Sequence, residues 1–414
     1  MNKKIKVGSD FSGVGAFDTA IKRIHGNNTE TVFACDMDKF ARQSYIANYG
    51  EPKYYPENVY NREIPSEPLD VYMTSPPCQS FSLAGKRKGK ESENGILFFN
   101  SHEFIQKNKP RYFIFENVKG LLSDDNGNTF KEWVNMLGGK TVNGNPIIFP
   151  FENSVPYHIY FKVLNSKKHG VPQNRERVFI VGIRDDSDNG FTWPKEEYLT
   201  LKLKDILEND VPEKYFLSDK AVAKCLKSSG NKKLKSSDIP NHSKTIIAGY
   251  YKIPFDGQYI KVKSATSKGY EIATENDSIN LTHPESKTRR GRVGKEVAQT
   301  LDTSCNQGIF VSKEVRTKES KEKRKKTGTN DFRGKEIEFR EQNHMNTITT
   351  GLTKDHLLKF DGFKIRKLTP RECFRLQDFP DDFKFVVSDS QLYKQAGNSI
   401  TVRVLELIIR KLNL

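Results

Sequence analysis

The sequence predicts an α/β fold, a parallel sheet built from βαβ units, joined to a second, smaller domain rich in loops. Short apolar runs, Ile5-Lys6-Val7, Thr31-Val32-Phe33-Ala34, Val71-Tyr72-Met73 and Tyr112-Phe113-Ile114-Phe115, alternate with longer stretches of helical spacing. That is the pattern of strands linked by crossover helices. From about Arg184 to Lys364 the character changes: lysine, asparagine, glycine and serine dominate and apolar runs are interrupted. A chain of 414 residues has room for a large core and such a second domain.

The first strand runs into Asp10-Phe11-Ser12-Gly13-Val14-Gly15, which opens a helical segment. Gly13 and Gly15 permit a tight turn and close backbone approach to a ligand. Alone, G-x-G fits an ordinary strand–helix turn more often than a ligand site. It gains weight from Asp36, about twenty residues on at the end of the second strand, where an acid would bind ribose hydroxyls. Met37 beside it is placed to cover one face of an adenine. Position 18 is Asp18, not the third glycine of a dinucleotide fingerprint. That disfavours a pyrophosphate cofactor and favours a nucleoside-bearing one such as S-adenosylmethionine.

The third strand, Leu69 to Met73, ends in Ser75-Pro76-Pro77-Cys78-Gln79-Ser80. In open α/β sheets the loop at a strand's carboxyl end is where ligands and chemistry sit. Two prolines fix φ and remove two donors, so the turn is stiff and presents Cys78 in one direction. A helix starting there would favour the nucleophilic thiolate. A buried structural cysteine fits this segment equally well.

The fourth strand ends in Phe115-Glu116-Asn117-Val118. A carboxyl group at the mouth of a buried strand is expected to have a raised pKa and to donate a proton. Taken alone, a helix-capping acid is the simpler reading. Gln173-Asn174-Arg175-Glu176-Arg177 leads into a further strand, Arg177 to Gly182. Alternation on an extended segment puts both guanidinium groups on one face. One is suited to bidentate binding of an oxygen or phosphate, and a structural ion pair suits the other as well.

Farther on, Lys321 to Lys326 is the densest charge run and reads as a solvated loop. Thr369-Pro370-Arg371-Glu372 forms a helix start, with Thr369 as cap and Glu372 closing a capping box. In Ile400 to Leu414 the residues Val404, Leu405, Ile408 and Leu412 lie near helical spacing. This segment should return to the first domain, so the second is inserted or flanked.

The composition, 35% hydrophobic and 29% charged, is that of a soluble globular protein, and no apolar stretch is long enough to span a bilayer. Met1-Asn2-Lys3-Lys4 is basic, yet the residues after it form no signal-peptide core. Five scattered cysteines without a C-x-x-C pair argue against a disulfide framework or a metal site and fit a reducing cytoplasm. The net charge of +16 implies a polyanionic partner, nucleic acid first and an acidic membrane surface second.

Taken in order, DFSGVG, SPPCQSFS, FENV, QNRERV, RKLTPRECFRLQDFP and QAGNSI resemble the DNA (cytosine-5)-methyltransferases of the bacterial and phage modification type. The resemblance covers the first half of the chain and its C-terminal stretch. It implies a Rossmann-like S-adenosylmethionine-dependent methyltransferase domain over 1–183 plus 384–414. A smaller, loop-rich target-recognition domain and return segment would take 184–383.

By that resemblance the Cys78 thiolate attacks C6 of cytosine, which activates C5. Glu116 would bind the exocyclic amine and N3, and Arg175 the O2 oxygen, with Arg177 completing the catalytic set. For the cofactor, Phe11 would lie against the adenine and the Gly13–Gly15 turn near the methionine. Asp36 would bind the ribose and Met37 the other adenine face. Asn58 and Val59 stand where relatives often carry an acid near the adenine amine. Pro77, Leu97, Asn398 and Ser399 complete the pocket. The target base must be extruded from the duplex. Gln79, Ser82, Lys86, Arg87 and Lys88 would belong to a mobile loop closing over DNA, with Arg292 and Thr300 as further DNA contacts from the middle region. The implied partner is double-stranded DNA, with room for a cognate restriction endonuclease acting separately. A cytoplasmic monomer without membrane association or metal is expected. An RNA methyltransferase of the same chemistry and a catalytically silent DNA-binding protein are the alternatives. The absence of the tRNA-acting relatives' extra cysteine-aromatic motif opposes the first, and intact Cys78, Glu116 and Arg175 oppose the second.

Overall fold

The computed structural model describes residues 4–77, 93–186, 190–217, 259–274, 276–283, 286–305, 307–312 and 363–414. The chain divides into two units: Met1–Lys202 with Thr300–Cys305 and Pro370–Leu414, and Leu203–Gln299 with Asn306–Thr369.

In the first unit the chain runs through β1 (Ile5–Asp10), α1 (Ala16–His25), β2 (Thr29–Cys35), α2 (Lys39–Tyr49), β3 (Val71–Thr74), α3 (Glu93–Asn108) and β4 (Tyr112–Val118). It continues with α4 (Asn128–Leu137), β5 (Thr141–Val142), β6 (Asn145–Pro146), β7 (Tyr157–Asn165), β8 (Gln173–Asn174) and β9 (Glu176–Arg184). After the second unit it closes with α5 (Pro370–Leu376), α6 (Asp389–Asn398) and α7 (Val402–Ile409). Eight strands form one sheet in the order β2-β1-β3-β4-β9-β7-β5-β6. β1 to β4 are mutually parallel, as expected from the βαβ pattern. β9 runs antiparallel to both β4 and β7.

β3 and β4 are apolar almost throughout because both faces are covered. On one side Phe98 of α3 stacks on Trp133 of α4 at 4.1 Å, with Phe115 of β4 edge-on to the same indole. The Asp38 side chain caps α2 by accepting from the backbone of Phe40 and Ala41. α7 buries Val402, Val404, Leu405, Ile408 and Ile409, so the C-terminal segment does return to the first unit.

The unit boundaries fall elsewhere than at 183/184 and 383/384. Phe191 contacts Tyr160 of β7 at 5.3 Å and Trp193 at 5.1 Å, Glu197 N donates to Lys168 O, and the first unit runs on to Lys202. Phe374 clusters with Phe379, Phe383 and Phe385, which holds α5 in the first unit too. Thr369, expected to cap α5, donates its hydroxyl to Glu208 within the second unit.

The second unit holds a hairpin of β10 (Tyr259–Lys263) and β11 (Tyr270–Thr274), and the short strand β14 (Ala298–Gln299). A four-stranded antiparallel sheet combines β12 (Ser278–Asn280), β13 (Val293–Gly294), β15 (Gln307–Ser312) and β16 (Phe363–Lys367). Val262 and Ala273 of the hairpin, with Ile279 and Ile365 of the sheet, form a small core. The charge run Lys321 to Lys326 lies outside the described residues.

Candidate active site

Strand register gathers the candidate residues on one sheet edge. Asp10 lies beside Cys35 and Thr74, and Thr74 beside Phe115, so β1 to β4 release their chains at a common level. The connection goes from β1 to β2 on one side and then to β3 on the other. That switch point is where ligands bind in doubly wound sheets. β9 enters the same edge from the opposite direction, with Phe179 opposite Glu116 and Arg177 opposite Val118.

Glu116 is 7% exposed, and the Arg177 Nε stands 3.2 Å from its Oε1. Burial pushes the Glu116 carboxyl pKa up, against the pull of Arg177 and then Arg175. Asn117 donates to the carbonyl of Pro76 at 3.4 Å, tying the end of β4 to the turn that leads to Cys78. Cys78 itself lies outside the described residues, as do Gln79, Ser82, Lys86, Arg87 and Lys88.

The two arginines are not equivalent. Arg175 is 3% exposed, and its Nη2 donates to the carbonyls of Gly397 at 3.3 Å and Ser399 at 2.7 Å. It clamps the residues flanking Asn398, and burial followed by the nearby Arg177 charge drives its pKa well down. Arg177 is the one set against Glu116. Both cations act on the Glu116 carboxyl, but the ion pair with it is made by Arg177, while Arg175 Nη2 reaches the return segment.

On the cofactor side, the carboxylate of Asp36 accepts from Gly13 N at 2.7 Å and from Asp38 N at 2.8 Å. It fixes the glycine turn, and burial raises its pKa. Gly13 has φ +54°, and a side chain there would meet nothing within 4 Å, so the turn borders open space. Gly15 is different: its φ is +82° and a Cβ would collide with the Tyr49 ring. Phe11, half-buried against the core, has φ 55°, a strained value for a bulky residue. Met37 is 84% exposed, an apolar side chain left uncovered beside Asp36. Asn58 is exposed, with its side chain accepting from Tyr60 N, whereas Val59 and Leu97 are buried. Pro77 and Asn398 are exposed and Ser399 is buried.

Of the two DNA contacts expected from the middle region, Arg292 is buried and Thr300 is exposed. Arg292 is 1% exposed and donates to the carbonyls of His283 and Asn280, a buried fastening of the second unit with no face for a phosphate. Thr300 belongs to the first unit, where its hydroxyl donates to Asn174 O at 2.8 Å, one residue before Arg175.

Sequence reading passed over Arg62, which is buried against Asp10 at 2.5 Å. The only signal was a charged residue close to Asn58 and Val59, and nothing local paired it with Asp10. Among the described residues no cluster of His, Cys, Asp and Glu could hold a metal ion, and no helix is long and apolar enough to cross a membrane.

Comparison with known proteins identifies the family. The family model for C-5 cytosine-specific DNA methylase matches residues 5–413. The orphan methyltransferase M.SPRI of Bacillus phage SPR is 33% identical, over 99% of this chain and 97% of its own. The type II methyltransferase M.HpaII of Haemophilus parainfluenzae is 28% identical, over 97% of this chain and 87% of its own. Among solved structures, a DNMT2 variant of Spodoptera frugiperda superposes with a TM-score of 0.55 at 18% identity, covering 98% of both chains, which shows the shared fold. The chain belongs to the C-5 cytosine-specific DNA methylase family.

Proposed function

We propose that this DNA (cytosine-5)-methyltransferase moves a methyl group from S-adenosylmethionine to C5 of a cytosine extruded from double-stranded DNA, with Cys78 as nucleophile. The observation that carries the reading is the meeting of Glu116, Arg177 and the Pro76 turn on the edge where the glycine turn and Asp36 also lie. The open space at Gly13, the uncovered Met37 and the Asp36 carboxylate suit a nucleoside-bearing cofactor. When bound, that cofactor supplies an electrophilic methyl group.

The chain's own residues do the rest. C5 of cytosine is a poor nucleophile, so the Cys78 thiolate adds to C6 and makes C5 enamine-like. Glu116, its pKa raised by burial, donates a proton toward N3 and accepts from the exocyclic amine. Arg177 holds O2 and the negative charge that collects on the ring. Loss of the C5 proton and departure of Cys78 restore the thiolate. Extrusion costs a few kcal/mol, offset by contacts to the flipped base and to phosphates. The basic segment from Gln79 to Lys90 suits those phosphates, and we assign target recognition to the second unit.

We further assign the enzyme to the cytoplasm, as a monomer of the restriction-modification type, acting with a separate nuclease or as an orphan, as the relative M.SPRI is named. Expression in a methylation-free bacterial host, followed by bisulfite sequencing, tests the activity. Protected cytosines in one short sequence context, lost with Cys78→Ala, are expected. A soluble, folded protein that protects none would refute the assignment to DNA.

A further inference from the structure

We infer that Arg62 is a positioning residue that holds the cofactor pocket together from behind, by joining the segments that carry Phe11, Val59 and Leu97. The inference rests on the reading of those three residues as the pocket. The Arg62 side chain is 1% exposed. Its Nη1 donates to the carbonyl of Val59 at 2.7 Å. Its Nη2 donates to Asp10 Oδ2 at 2.5 Å and to the carbonyl of Asn100 at 3.0 Å. Asp10 is the residue before Phe11, and Asn100 lies one helical turn after Leu97 on α3. One planar guanidinium thus fixes three separate chain segments, which a point-charge ammonium cannot do in the same geometry.

The surroundings hold the fork in place. Tyr72 donates its hydroxyl to the same Asp10 oxygen at 2.6 Å, and its ring stacks on Phe104 at 4.1 Å. Arg62 lies over that Phe104 ring, 5.1 Å from its centroid. Yet Asp10 Oδ1 and Arg62 Nε are buried without a hydrogen-bond partner. A buried ionic pair left partly unsatisfied is commonly no more stable than apolar residues of similar volume. Stability therefore does not account for the pair, and the alignment of three pocket segments does.

The test separates these roles. The charge-free double variant Asp10→Leu/Arg62→Met should unfold at a temperature close to that of the wild type. Its dissociation constant for S-adenosylmethionine, measured by calorimetry, should rise roughly 10- to 100-fold, with the KM for DNA unchanged. Arg62→Lys, which keeps the charge, and Tyr72→Phe, which keeps the ion pair, provide readouts if the double variant folds poorly. The lysine variant should weaken cofactor binding and the phenylalanine variant should bind nearly as the wild type does. Wild-type cofactor affinity in a folded double variant or in Arg62→Lys overturns the inference. Failure of the wild type itself to bind S-adenosylmethionine would instead remove the pocket reading, and this inference with it.

Discussion

Arg177→Met should move the alkaline limit of methyl transfer to higher pH. Burial raises the Glu116 pKa, while Arg177 and then Arg175 draw it down. With 3.2 Å between Arg177 Nε and Glu116 Oε1, two unit charges at an effective dielectric constant of about 20 attract by ~5 kcal/mol. The Arg177 side chain is 17% exposed, so solvent screens part of this. About 1.4 kcal/mol of surviving attraction equals one pKa unit. Removing the cation should therefore raise the Glu116 pKa further. The protonated acid is the form that donates toward N3, so transfer is full below the folded pKa of Glu116 and falls as pH rises through it. In Arg177→Met the fall should come later, from a plateau lowered by roughly 10²-fold because the O2 contact is gone. Single-turnover transfer of a labelled methyl group, followed as a function of pH, reads both effects. Glu116→Gln serves as the control and should show no such limb. A limb that stays in place or moves to lower pH in Arg177→Met would refute the reasoning.

Cys78→Ala should lower methyl transfer by at least about 10³-fold while DNA binding, followed by gel shift, is retained. Asp36→Asn leaves one of the Gly13 and Asp38 amides without its acceptor. It should cost about 1–3 kcal/mol of stability and raise the KM for S-adenosylmethionine, read from denaturant melts and initial rates. Gly397→Ala would put a Cβ 2.6 Å from the backbone of Asp302. That overpacking should destabilise the first unit by about 1–3 kcal/mol and lower the melting temperature in calorimetry.

Much of the fold was legible because each signal was local. Ile5-Lys6-Val7, Val71-Tyr72-Met73 and Tyr112 to Phe115 became β1, β3 and β4, since a strand covered on both faces must be apolar along its length. β7 escaped notice although Tyr157, Ile159, Phe161 and Val163 alternate with His158, Tyr160 and Lys162. It pairs antiparallel with β9, and its alternation of apolar with polar or half-buried residues differs from the continuous apolar runs of the covered strands. The domain edges were read from composition. They were set in fact by aromatic contacts, Phe191 on Tyr160 and Phe374 within its cluster, which composition does not record.

For the site, the sequence by itself determined the chemical kinds: a cysteine after a stiff turn, an acid at a strand mouth, paired arginines and a glycine turn with an acid to follow. Motif residues reveal themselves this way because each is demanded by backbone geometry or reactivity within a few positions. Which arginine faces Glu116, that Arg292 is a buried fastening, and that Arg62 joins three pocket segments were decided only by tertiary structure. These depend on groups brought together by strand order and return segments, such as Asp10 with Arg62 or Arg175 with Ser399. A guanidinium reaches whatever acceptor the fold places within about 3 Å. No short-range pattern in the chain encodes that placement.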